Sequence, residues 1–181
     1  MKKASFFLVA VLLAAGCAKT PDAGSIESQE SAPQPWTEVH HTAWDIVSSS
    51  RHVTLITLDE GGHPQARILD AIPPDSGRFE IWMGTNRNSA KVREILADPR
   101  ATLYYQIPNG GGYVTLRGMA EIVDDPAAKE RYWRDAWEPF YPDRQAMFVL
   151  IRFQPMDGEV VSFADGLVGE TVTWAAPEFE F

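Results

Sequence analysis

Three short segments hold the residues whose types and spacing could do chemistry. In Gln65-Ala66-Arg67-Ile68-Leu69-Asp70, an arginine stands in the middle of an apolar strand-like run. A guanidinium taken out of water there must find a partner. In Met83-Gly84-Thr85-Asn86-Arg87-Asn88-Ser89-Ala90-Lys91, a strand ends in Gly-Thr and a polar turn opens a helix. The free N–H groups of a helix start favour an anion. Ser89 adds a hydroxyl donor and Lys91 a positive charge in the first turn, and the forked donors of Arg67 suit phosphate oxygens. If the strand carrying Arg67 lies beside that turn, helix start and cations form one phosphate cradle. In Tyr113-Val114-Thr115-Leu116-Arg117-Gly118, a second embedded arginine adjoins aromatics able to cover a flat ring. Plainer readings stand beside these: Arg67 on the outward face of an edge strand, Ser89 as a helix-start residue only, Lys91 as a solvated lysine.

Other chemistries find no residues here. Gly110-Gly111-Gly112 lacks the Lys-Ser/Thr continuation of a P-loop and reads as a turn. The four histidines, His40, His41, His52 and His63, fit no zinc spacing, so no metal site is expected. His40 and His41 are adjacent and point apart on a helix, and His41 with Asp45 reads as a surface pair. There is no Ser-His-Asp set, and no catalytic residue is assigned. The chain has one cysteine, Cys17, so no intrachain disulfide can form. With 16 Lys+Arg against 25 Asp+Glu and a net charge of −9, nucleic acid is not an expected partner.

The elements that must position these residues follow from periodicity. Trp36, Val39, Ala43, Ile46 and Val47 recur at helical spacing, which predicts a helix over 36–50. His52–Leu58 and Gln65–Ala71 read as strands of a hairpin turning at Asp59-Glu60-Gly61-Gly62. Arg78–Met83 reads as a strand, Asn88–Ala97 as a helix stopped by Asp98-Pro99, and Ala101–Ile107 as a strand. Tyr113–Val123 is a long strand with Gly118 at a bulge or bend. Asp125-Pro126 opens a helix expected to carry Tyr132, Trp133 and Trp137, the two tryptophans serving as core or as a ring cover. Met147–Phe153, Glu159–Phe163 and a short Val172–Trp174 segment complete the strands. Hairpins rule out a doubly wound parallel sheet. The expected class is mainly β (α+β): an antiparallel sheet curled into a small barrel with flanking helices.

Ahead of this domain, assigned to residues 36–181, the chain reads differently. Lys2 and Lys3 precede an apolar run from Phe6 to Ala15, which ends in Leu13-Ala14-Ala15-Gly16-Cys17. That is the anatomy of a secretory signal over residues 1–16. Its final run resembles the bacterial lipobox, which implies export and lipidation of Cys17; the alternative is a plain secretory signal. Residues 17–35, polar and rich in proline, read as a lipidated cysteine and disordered tether. The expected location is the periplasmic face of a membrane, with Ala18 after Cys17 favouring the outer one.

Five pieces in register resemble a known family: Leu55-Ile56-Thr57-Leu58-Asp59 with Gly61-Gly62 and Pro64; Arg67-Ile68-Leu69; Gly84-Thr85-Asn86 with Ser89 and Lys91; Ala97-Asp98-Pro99-Arg100-Ala101; and Leu116-Arg117-Gly118-Met119-Ala120. The chain resembles the pyridoxamine 5'-phosphate oxidase-like FMN-binding split β-barrels, within them the general stress protein branch, over roughly residues 40–164. The resemblance implies an antiparallel split barrel and a homodimer with flavins at its interface. It implies that Arg67, Ser89 and Lys91 hold the FMN phosphate, with Thr85 and Asn86 beside it. Backbone of Ile68 and Leu69 would meet the ring edge, and Gln106, Arg117, Trp133 and Trp137 would come from the partner subunit. The implied activity is a flavin-dependent oxidoreductase acting on a small-molecule redox substrate. The alternative is a non-catalytic module that binds or stores flavin, deazaflavin F420 or haem. The paired arginine and histidine motif of the vitamin-forming oxidases is missing near the C-terminus, and Tyr104-Tyr105-Gln106 replaces their tryptophan-bearing strand end. Pyridoxamine phosphate oxidation itself is therefore not expected.

Overall fold

A computed structural model describes residues 36–75 and 78–181. Cys17, the signal over 1–16 and the tether over 17–35 lie outside the described residues. Among the described residues, seven strands alternate with short helices: α1 (Glu38–Ser49), β1 (His52–Leu58), β2 (Pro64–Ile72), β3 (Ile81–Asn86), α2 (Ala90–Ala97), β4 (Arg100–Ile107), β5 (Gly112–Val123), α3 (Pro126–Arg131), α4 (Arg144–Met147), β6 (Phe148–Ser162) and β7 (Glu178–Glu180). All ladders are antiparallel. The sheet runs β3-β2-β1-β4-β5-β6, and β3 also pairs with β6, which closes a six-stranded barrel. β6 pairs with β3 along Phe148–Phe153 and with β7 along Asp157–Glu159, so β7 extends the wall that β3 leaves.

Alternation along the strands fills the interior. Val53, Leu55, Ile81, Met83, Leu103, Tyr105, Val114, Leu116, Ile151 and Phe153 are buried inside the barrel. α1 adds Ala43 and Val47 to this core, with Trp36, Val39 and Ile46 packed against it. A second cluster gathers Trp137, Phe148 and Leu150 with Trp82, Tyr132 and Trp133.

One seam is barely stitched. β2 and β3 share only the pairs Ala71↔Met83 and Ile72↔Trp82. Continued at that register, the ladder would set Leu69 opposite Thr85 and Ile68 opposite Asn86. There β2 pairs with β1 alone and β3 with β6 alone. The barrel is split along this stretch, and backbone N–H and C=O groups of both edges are left for another partner.

Four elements differ from the sequence expectation. The strand expected at Arg78–Met83 runs over Ile81–Asn86, because pairing with β6 carries Gly84-Thr85-Asn86 on to Phe148. The two strands expected over 147–153 and 159–163 are one continuous β6, and the short strand near the end is Glu178–Glu180 rather than Val172–Trp174. The helix opened by Pro126 stops at Arg131, and Trp137 lies in a separate 3-10 segment, Asp135–Phe140. Contacts with β2 decide this break: Trp137 Nε1 donates to Asp70 at 3.0 Å and Arg134 Nη2 to the Ala71 carbonyl at 2.9 Å. Those bonds pin the segment over the stitched end of the seam.

Candidate functional site

At the open end of the seam, inward-facing positions of three neighbouring strands supply Thr57 (β1), Arg67 (β2) and Thr85 (β3). Arg67 pairs with the core residue Leu55 across the ladder, so its side chain shares the inner face rather than the outward one. Thr57 is 1% exposed and Thr85 3%. α2 lies across this end, burying Val92 and Ile95. Lys91 and Glu94, three residues apart, project from one face of α2.

These side chains form a connected set. Arg67 Nη1 donates to Thr57 Oγ1 at 2.6 Å and to Glu94 Oε2 at 2.8 Å. Thr57 Oγ1 also donates to Glu94 Oε2. Lys91 Nζ donates to Thr85 Oγ1 at 3.2 Å, and the Thr85 and Ser89 hydroxyls lie 3.4 Å apart. Ser89 is the residue that caps α2, yet its hydroxyl makes no capping bond, so that donor is not spent on the helix. The Lys91 ammonium is held below the usual lysine range, first by burial and then by the Arg67 charge, with Glu94 opposing. Two cations form a partly buried cluster with one carboxylate, beside the first turn of a helix. Such a set suits an anion with several oxygens, and a phosphate monoester in particular.

The structure brings Arg67, Thr85, Ser89 and Lys91 together, with Asn86 at the end of β3 and the backbone of Ile68 and Leu69 along the open edge. It does not bring Gln106 or Arg117 to this place within one chain. Gln106 is exposed near the end of β4. Arg117 faces outward from β5 and pairs with Asp157, with Glu159 at 3.7 Å and Glu178 at 3.5 Å. Trp133 and Trp137 pack against Phe148 in the second core cluster. Thr57 and Glu94 were missed by sequence reasoning. Thr57 continues the inward phase of Val53 and Leu55, and Glu94 follows Lys91 by one helical turn, which places both near the cluster without singling either out.

The five sequence pieces sit where a split barrel needs them, and residues 40–162 match the family model described as Pyridoxamine 5'-phosphate oxidase. The chain belongs to the pyridoxamine 5'-phosphate oxidase family. A pyridoxine/pyridoxamine 5'-phosphate oxidase of Mesorhizobium japonicum is 33% identical over 86 residues, 48% of this chain and 41% of that relative. The chain thus spans less than half the length of the curated relative. Among solved structures, a protein related to general stress protein 26 (pyridoxinephosphate oxidase family) from Clostridium acetobutylicum superposes with a TM-score of 0.63 at 23% identity, covering 78% of this chain and 93% of that one. A heme binding protein from Mycobacterium smegmatis has a TM-score of 0.55 at 24% identity, covering 66% of this chain and 52% of the other. At these identities the structural neighbours share the fold. The described residues form a split barrel of this family's fold, and in this chain the cationic cluster lies at the open end of its seam.

Proposed function

We propose that this protein binds FMN and works as a flavin-dependent oxidoreductase. The observation that carries the reading is the meeting of Arg67, Lys91, Ser89 and Thr85 at the open end of the seam. In this reading Arg67, Ser89 and Lys91 hold the phosphate, with Thr85 and Asn86 beside it. The unpaired backbone edge at Ile68 and Leu69 offers hydrogen bonds to the rim of a flat ring. Bound FMN would supply the electron-transfer chemistry, and the chain's residues orient the group and limit its access to water. The general stress protein relative supports a role linked to stress, on a small-molecule redox substrate.

A homodimer belongs to the same proposal. The outer wall of the barrel exposes Ile68 (71%), Met156 (60%) and Met119 (40%), and a second copy would cover apolar area there and bring its Gln106 and Arg117 toward the first copy's seam. The proposal also includes export and lipidation at Cys17 on the periplasmic face, supported by the lipobox-like run. A Cys17→Ser variant should then lose its lipid mass and leave the membrane fraction.

The second reading is a binding module that keeps flavin, deazaflavin or haem without turnover, favoured by the heme binding neighbour of the same fold. For haem, one histidine is already engaged: His40 bonds Thr37 through Nδ1 and the Glu180 carbonyl through Nε2. Spectroscopic titration with FMN tests the main reading, followed by reduction and reoxidation of the bound flavin with candidate donors. Binding with cycling is the expected result. Binding without any cycling favours the storage module, and no binding at micromolar FMN ends the flavin reading.

A further inference from the structure

We propose that Glu94 is a built-in counter-charge that weakens the phosphate cradle, so that a phosphate ester is held reversibly rather than permanently. This rests on reading the cluster as a phosphate site. Among the described ion pairs, Arg67–Glu94 is the one in which both side chains are well shielded, 21% and 11% exposed. Its geometry is one-sided. Arg67 spends Nη1 on both Thr57 Oγ1 and Glu94 Oε2, and among the described hydrogen bonds its Nε and Nη2 take no protein partner. Thr57 donates to the same Glu94 oxygen, which fixes the carboxylate from a second strand. Glu94 therefore does two things at once. It braces the guanidinium through Nη1, and it cancels one of the two positive charges that an incoming phosphate would meet.

A purely structural partner for Arg67 needs an acceptor, not a negative charge. Gln at this position keeps the acceptor for Arg67 and Thr57 and removes the charge. The two roles therefore separate by substitution. If Glu94 acts as counter-charge, Glu94→Gln tightens phosphate binding by about tenfold or more, between what one unit charge contributes at close range in bulk water and near a protein surface. Glu94→Ala loses the brace as well and gains less than Glu94→Gln.

The test uses the full chain with two probes, inorganic phosphate followed by thermal unfolding and FMN followed by fluorescence quenching, with riboflavin as the control lacking phosphate. The expected result is stronger binding of both phosphate probes by Glu94→Gln, with riboflavin affinity unchanged. Equal or weaker phosphate binding by a folded Glu94→Gln protein overturns the proposal, as does a gain that riboflavin shares. If inorganic phosphate binds more tightly to the variant while FMN binds to neither protein, the counter-charge stands and the flavin reading fails.

Discussion

Lys91 carries its charge partly buried and beside a second cation, and both conditions lower its pKa. The unfolded chain keeps that proton more readily, so the free protein gains stability as pH rises through the lowered value toward the ordinary 10.5. A bound phosphate reverses the preference and calls for the protonated form. Lys91→Met should therefore raise the melting temperature of the ligand-free protein while weakening FMN by about 1.5–3 kcal/mol, the range of a hydrogen bond to a charged group. Thermal unfolding and fluorescence titration of the same preparation check both halves. In the unsubstituted protein, FMN affinity should fall as pH rises through the lowered Lys91 value, and Lys91→Met should flatten that slope. Arg67, Ser89 and Lys91 were legible in the sequence because a charge inside an apolar run and a polar helix start break a pattern. Thr57 and Glu94 break none. A threonine suits a strand and a glutamate suits a helix, so their roles emerge only when the barrel closes and α2 crosses its end.

Among the elements, β6 shows why local signals fail over long strands. Pro155 and Gly158 fall in the gap between the two expected strands, yet β5 runs beside β6 from Gly112↔Ser162 to Val123↔Leu150 and shifts register between Arg117 and Gly118. Gly118 is essential to that approach: a Cβ there would stand 2.2 Å from the Gln154 carbonyl oxygen and 2.8 Å from the Pro155 Cα. Both contacts are backbone and cannot swing aside. Gly118→Ala should destabilise the fold by about 1–3 kcal/mol, as overpacking does, read as a lower denaturation midpoint. The bend at this glycine was legible from its place inside an apolar strand. The end of α3 was not, since the bonds of Arg134 and Trp137 to β2 link residues more than sixty positions apart. Periodicity within a segment carries no record of such partners.

For the whole molecule, antiparallel class and barrel closure were readable from hairpins and alternation, whereas the seam depends on which strands fail to pair. The homodimer proposal makes the outer wall a contact surface. Ile68→Glu should place a charge in that contact and yield a monomer by sedimentation or light scattering, with a melting temperature near that of the isolated subunit. An unchanged dimer would move the interface elsewhere. The proposed chemistry of this molecule depends on recognition of a terminal phosphate at the open end of the seam. The most direct measurement compares FMN and riboflavin affinities for the unsubstituted protein. FMN should bind at least about tenfold more tightly, the worth of one charge-assisted phosphate contact; equal affinities, or binding of neither, would overturn phosphate recognition at this place.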